Sequence, residues 1–272
     1  MARIALDAMG GDFAPQATVA GALLALSELD PAHSIQLVGR SPVIAEQLDG
    51  LFKDPEYAPL KGLRGRLSTV EAADVIEMTD KPAAAVRGKP NSSMLVGLRL
   101  QSEGESDAFV SAGNTGAQMA ASMLALRLHA GLKRPAIATH FPTARKPVVV
   151  LDSGANVDCR AERLEQYAIM GSAYAQKVLH IANPRVALLS VGEERTKGNA
   201  LVLEAAALLE VAPINFTGNV EGKDMVRNDA DVIVADGFVG NVALKTSEGV
   251  ANLVRATLKE TLAATITRQV GY

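Results

Sequence analysis

Apolar residues return along this chain in two rhythms. Short runs rich in Val, Ile, Leu and Ala alternate with longer stretches whose apolar positions are spaced three and four apart. The runs predict buried strands and the spaced stretches predict amphipathic helices. Residues 1–8 read as a strand ending at Asp7; MGGD at 9–12 follows, and Pro15 opens a helix carrying Val19, Leu23 and Leu26. The same order recurs four times. An apolar run from Ala108 leads into SAGNTG at 111–116 and a helical pattern. Residues 148–151 end at Asp152, followed by SGAN at 153–156 and a helix from about Glu162. Residues 185–190 lead into VGEERTKGN at 191–199 and a helix through Leu209, and 231–235 end at Asp236, followed by GFVGN at 237–241 and another helix. Residues 35–39 and 67–70 are further strands, Ser41 caps a helix over 42–48, Ser92 or Ser93 caps one through Leu100, and 49–66 reads as a loop.

Strands and helices alternating through short connections imply βαβ units. The expected fold is a Rossmann-like α/β architecture, a mostly parallel sheet with flanking helices, in which ligands sit beyond the carboxyl ends of the strands. The five junctions are therefore expected to share one crevice. Residues 1–247 read as one α/β domain. In 248–272, Val250, Val254, Leu258, Leu262, Ile266 and Val270 recur every four residues with Leu253 alongside. That is an amphipathic helix belonging to the same domain, expected to bury its stripe in the core or a dimer interface.

Composition narrows the function. The 272 residues are 48% hydrophobic and 21% charged, with net charge −3, 4% aromatic content and no Trp. A substantial core is affordable, whereas nucleic acid finds neither a basic field nor stacking platforms. The single cysteine, Cys159, excludes an intramolecular disulfide, and no leader pattern or apolar run of about 20 residues appears, so a cytoplasmic location is expected. Cys159 reads as a buried thiol rather than a nucleophile, since no His stands near it in sequence. His33, His129, His140 and His180 show no metal-ligand spacing, so histidine-based acid–base or zinc chemistry is not expected. Lys81, Arg87 and Lys89 form a local basic patch.

The loops point to an anion. Gly10, Gly11, Gly113, Gly116, Gly154 and Gly237 permit close backbone approach, and Ser111, Thr115 and Asn199 add polar donors ahead of helix N-termini. Asp7, Asp152 and Asp236, and Asp12 beside them, complicate this: carboxylates at strand ends repel phosphate unless they cap loop N–H groups or bind a divalent metal. Lys197, just before a helix start, is the cation placed nearest the anion, and Lys245 is a second.

Nine blocks, in order, resemble the bacterial phosphate acyltransferases of the PlsX family: IALDAMGGD (4–12), SAGNTGA (111–117), RPAIAT (134–139), LDSGANVDC (151–159), YAIMGSAYA (167–175), PRVALLSVGEE (184–194), KGN (197–199), GNVEGKD (218–224) and DGFVGNVALKTSEG (236–249). The resemblance implies transfer of a fatty acyl group from acyl carrier protein to inorganic phosphate, giving acyl phosphate for phospholipid synthesis by an acyltransferase downstream. It implies a homodimer of isopropylmalate-dehydrogenase-like architecture, related to phosphate acetyltransferases and needing no metal or redox cofactor. Lys197 becomes the leading catalytic residue, Asn114, Thr115 and Asn241 donors to the carbonyl, and Asn156 and Asn219 supporting members. Lys81, Arg87 and Lys89 become contacts for the acidic carrier, and the last helix a peripheral anchor at the inner face of the cell membrane. The family continues beyond that helix, so the chain is expected to be shortened at Tyr272. Three alternatives stand beside this reading: a short-chain phosphate acetyl- or butyryltransferase acting on acyl-CoA, a metal-dependent hydroxyacid dehydrogenase, and a truncated dimerising or membrane-associated adaptor.

Overall fold

The computed structural model describes residues 1–143 and 145–263. It divides into two compact units, the first Met1–Ala130 and the second beginning at Gly131. Each unit has its own sheet. Alternation along the chain marks strands, but which edges pair is decided by packing at long range.

In the first unit β1 (Arg3–Asp7), β2 (Ser34–Gly39), β3 (Leu67–Glu71) and β4 (Ala108–Val110) form an all-parallel sheet in the order β3-β2-β1-β4. Between them run α1 (Gln16–Glu28), α2 (Ser41–Leu51), α3 (Pro82–Gly88) and α4 (Ser93–Ser102), and α5 (Thr115–Ala125) follows β4. Side chains alternate across a strand, so Ile35 and Leu37 join Val19, Leu23, Leu26 and Ile44 on one face of the sheet. Ala5 and Val38 face the opposite way, with Ala72 and Leu100. Ser92 caps α4 by accepting from Leu95 N, as expected. Ser41 is the first residue of α2 rather than its cap, its N–H donating to Glu71. The expected loop over 49–66 is largely helical, through the end of α2 and a 3-10 segment, Ala58–Arg66, that buries no residue.

The second unit carries β5 (Ala138–Phe141), β6 (Val148–Leu151), β7 (Arg185–Leu189), β8 (Asn215–Val220) and β9 (Val232–Val234), in the order β5-β6-β9-β7-β8. Only β5 runs antiparallel. Helices α6 (Ala161–Lys177) and α7 (Ala200–Leu209) cover one face, where Leu151, Leu164, Tyr167, Leu188 and Val234 are buried together. On the other face Val150, Ala187, Leu189 and Ile233 pack with Ala243 and Leu244 of α8 (Gly237–Ala263). Helix α8 therefore starts well before the expected stripe at 248 and is anchored by its first turns. Within the single chain that stripe is not buried in the core: Val250, Leu253, Val254 and Leu258 are 50–66% exposed. Leu262, Ile266 and Val270 lie outside the residues whose side chains are described.

The mouth of β7 is tied to β9 by charge. Asp231 accepts from Arg185 N at 2.8 Å, Nε at 3.1 Å and Nη2 at 3.2 Å. Burial pushes the Asp231 carboxyl up, but the hydrogen bonds and charge of Arg185 outweigh it and hold the group below its ordinary value. A carboxylate lowered in the folded state stabilises above its unfolded pKa of about 3.9, and that contribution disappears as pH falls through the folded value. Asp231→Asn is accordingly expected to weaken the protein at pH 6 and to flatten its loss of stability below about pH 4. Urea midpoints of both proteins across that range check this; parallel curves would remove Asp231 from the acid transition.

Candidate active site

The first unit brings two of the five junctions side by side because β1 and β4 are neighbours. Asp7 is 2% exposed and holds both loops: its carboxylate accepts from Met9 N at 3.1 Å and from Ser111 Oγ at 2.7 Å. The same hydroxyl accepts from Gly113 N at 3.1 Å. Gly10 must lack a side chain here, since a Cβ would stand 2.5 Å from Asp7 Oδ2 and 2.9 Å from Ser111 Oγ. Gly11 follows in the left-handed region at φ 109°. Asn114 caps α5, its Oδ1 accepting from Ala117 N at 3.0 Å. Its amide faces the carbonyls of Met78 and Asp80, both at 3.1 Å, and Glu77 at 3.4 Å. Asn114 was expected to donate to a substrate carbonyl; its N–H groups are instead engaged in pinning the 77–80 loop. Thr115 and Asp12 are exposed, and the N–H groups of Thr115 and Gly116 have no acceptor among the described residues.

The other three junctions lie in the second unit, and two are closed by carboxylates. Asp152 is wholly buried; Oδ1 accepts from Ile137 N and Ala155 N, both at 3.0 Å, and Oδ2 from Asn156 N and Nδ2, both at 2.8 Å. Asn156 gives its remaining amide hydrogen to the Pro135 carbonyl at 2.8 Å. The Asp152 carboxylate and the Asn156 amide N–H groups are thus committed to the loop. Asp236 takes the first N–H groups of α8, Phe238 N and Val239 N at 2.9 Å, so a carboxylate fills the position an anion would occupy. Gly237 N donates to the Asn156 carbonyl at 2.8 Å, and a Cβ on Gly240 would collide with the Asp152 carbonyl, so α8 lies directly on the 152–156 loop. That leaves Asn241 exposed, beside Gly154 and with no hydrogen-bond partner among the described residues. The three aspartates are loop holders: among the described residues no group of three or more His, Cys, Asp or Glu is placed to hold a metal ion.

Cys159 donates from Sγ to the Asn156 carbonyl at 3.3 Å. Burial first, then the charges of Asp152 and Asp236, push its thiol up, which disfavours the thiolate a nucleophile needs.

The β7–α7 junction is different. Asn199, a neutral cap, accepts from Val202 N at 3.0 Å, and the N–H groups of Ala200 and Leu201 find no acceptor among the described residues. Lys197 is exposed and has no ion pair among them. Its turn is held by Lys197 N donating to Glu194 O at 2.9 Å and by Asn219 Nδ2 donating to Glu194 O at 3.0 Å and Lys197 O at 3.4 Å. Lys245, the second expected cation, is instead paired with Glu248 at 2.8 Å. Beside this turn opens a cleft of about 170 Å³, walled by Leu164, Leu188, Val202 and Val239 and edged by Ser190, Asn199 and Asp236. Sequence reading missed Ser190: its Oγ is buried without a partner among the described residues, at the end of β7 where the strand-end position was the only signal.

The expected basic patch is thinner than its spacing suggests. Lys89 ion-pairs with Asp80 and donates to the Val75 carbonyl at 2.7 Å, so it braces the 75–80 loop. Arg87 donates to Ala83 O at 3.1 Å, and Lys81 is exposed. Among the described residues no helix is long and apolar enough to cross a membrane.

Comparison with known proteins places this geometry. A family described as fatty acid synthesis protein matches residues 2–271. The phosphate acyltransferase of Acidobacterium capsulatum is 49% identical over 268 residues, covering 98% of this chain and 77% of that protein. The phosphate acyltransferase of Heliobacterium modesticaldum is 50% identical over 269 residues, covering 99% and 77%. Among solved structures, EutD phosphotransacetylase from Staphylococcus aureus aligns with TM-score 0.64 and 17% identity over 92% of this chain and 82% of that one. A 4-hydroxythreonine-4-phosphate dehydrogenase from Burkholderia phymatum aligns at 0.53 and 14% over 90% and 83%. At those identities the structures speak for the fold, which is the α/β architecture expected.

Proposed function

The chain belongs to the fatty acid synthesis protein family as one of its phosphate acyltransferases, and from that premise we propose that its transfer chemistry is carried by the turn before α7. The enzyme moves an acyl group to phosphate. The observation that carries the site is one turn that holds Lys197, with no ion pair among the described residues, and the Ala200 and Leu201 N–H groups, with no acceptor among them, while its Gly198 and Asn199 line an apolar cleft. A helix opened by a neutral cap attracts an anion, whereas the one opened by Asp236 repels it.

The donor in this reading is the thioester of acyl carrier protein. A phosphate oxygen attacks the thioester carbonyl carbon and the C–O bond forms as the carbonyl oxygen takes up negative charge. The intermediate then collapses, the C–S bond breaks, and the carrier's thiolate leaves and is protonated by solvent, giving acyl phosphate. Lys197 and the α7 N–H groups bind phosphate, and the free amide of Asn241 is the side-chain donor suited to the developing oxyanion. The Leu164, Leu188, Val202 and Val239 walls take apolar groups adjoining the thioester. In the first unit, the free N–H groups at Thr115 and Gly116 remain a second place for an anion.

Incubation with a long-chain acyl carrier protein thioester and labelled phosphate is expected to yield labelled acyl phosphate and free carrier thiol in equal amounts. Product from acetyl-CoA but not from the carrier thioester would replace this reading with that of a short-chain enzyme.

A further inference from the structure

Arg160, Arg163 and Lys133 line a groove on the second unit, with Glu162 and Gln166, where the 131–135 segment meets the start of α6. Arg134 follows Lys133 and is exposed. Several cations elsewhere are matched to acids, as in Arg3–Asp107, Lys89–Asp80, Arg185–Asp231 and Lys223–Glu221. No cation of the groove has an ion pair among the described residues. The cluster is also built rather than loose: Arg163 Nη1 donates to Asp158 O at 3.1 Å, and the Gln166 side chain ties Lys133 N and Gly131 O to α6 at 3.5 and 3.3 Å.

Helix stability does not explain this placement. Arg160 is the N-cap of α6 and Arg163 stands in its first turn, where the helix already carries partial positive charge and where Glu162 is the only acid. Like charges gathered at the wrong helix end, on a chain of net charge −3, cost stability unless something negative meets them. The groove also directly follows the 152–159 loop on which α8 rests. We propose that the groove of Lys133, Arg160 and Arg163 is the docking surface for the acidic acyl carrier protein, in place of the Lys81, Arg87 and Lys89 patch. The proposal rests on the carrier thioester being the donor. Charge complementarity of this kind sets encounter rate and orientation, so it acts on carrier binding and leaves the chemical step alone.

The test uses Lys133→Glu/Arg163→Glu and, separately, Arg160→Glu, whose side chain makes no hydrogen bond among the described residues. Labelled acyl carrier protein is titrated by fluorescence anisotropy, and turnover is measured with acyl carrier protein thioester and with carrier-free acyl-pantetheine. The expected result is a rise in Kd and in KM for the carrier of about tenfold or more at low salt, shrinking as salt is raised. Turnover of acyl-pantetheine and KM for phosphate should stay at wild-type values. Unchanged carrier affinity in both variants would overturn the proposal, as would equal loss with acyl-pantetheine, or loss confined to Lys81→Glu/Arg87→Glu. Groove-dependent carrier binding by a wild-type protein that forms no acyl phosphate would uphold the docking surface while defeating the carrier-thioester reading of the reaction.

Discussion

Replacing Lys197 with Ala is expected to lower acyl phosphate formation by about 10²–10³-fold, the loss typical of removing one donor from a developing oxyanion or bound anion. The turn that presents it is held independently of its charge. Its backbone N–H donates to the Glu194 carbonyl at 2.9 Å, and Asn219 spans the Glu194 and Lys197 carbonyls from β8. Because the Lys197 side chain is exposed, the variant should fold with an unchanged melting temperature, and the lost activity would be chemical rather than structural. Lys197→Arg keeps the charge but not the shape, and should fall between wild type and Lys197→Ala. Steady-state kinetics with phosphate varied separate binding from turnover. Formation of acyl phosphate by Lys197→Ala within about threefold of wild type would remove Lys197 from the site, since a bound-anion contact is worth more than that.

Junctions of this kind are legible in sequence because strand, small-residue turn and helix each leave a local pattern. All five expected junctions exist, and Ser92 caps its helix where spacing puts it, whereas the capping by Asn114 and Asn199 is seen only in the fold. What spacing does not carry is the direction in which a polar group points. Asn114 and Asn199 both cap helices, yet the Asn114 amide is engaged by carbonyls 34 to 37 residues away in sequence, contacts that no local pattern encodes. Lys89 belongs by spacing to a basic patch, yet in the fold it is paired with Asp80. The missed strands have the same explanation. β5 is a four-residue antiparallel edge strand, ATHF, with little apolar content, and β8, NFTGNV, interrupts its apolar positions with Gly218 and a register shift against β7. Both strands depend on a partner rather than on their own composition.

The aspartates show how one sequence signature suits three different jobs. A carboxylate at a strand end before glycines suits a metal, a phosphate-repelling gate or a loop clamp, and only the count of N–H groups converging on it tells these apart. Four converge on Asp152. Replacing it with Ala leaves those donors in a buried loop without an acceptor, at about 1 kcal/mol each on the low side of the usual range, for a loss of about 4 kcal/mol. Asp152→Asn keeps one acceptor oxygen but turns an N–H toward donors on the other side, so it should recover no more than about half of that loss. Chemical denaturation followed by circular dichroism measures both, and a loss below about 1 kcal/mol for Asp152→Ala would mean the clamp is dispensable. The consequence reaches the chemistry through α8. Gly237 N bonds the Asn156 carbonyl at 2.8 Å and Gly240 lies against the Asp152 carbonyl, so releasing the loop releases the turn that presents Asn241. Under conditions where Asp152→Ala remains folded, its kcat should therefore fall while KM for phosphate, set at the α7 turn, changes little.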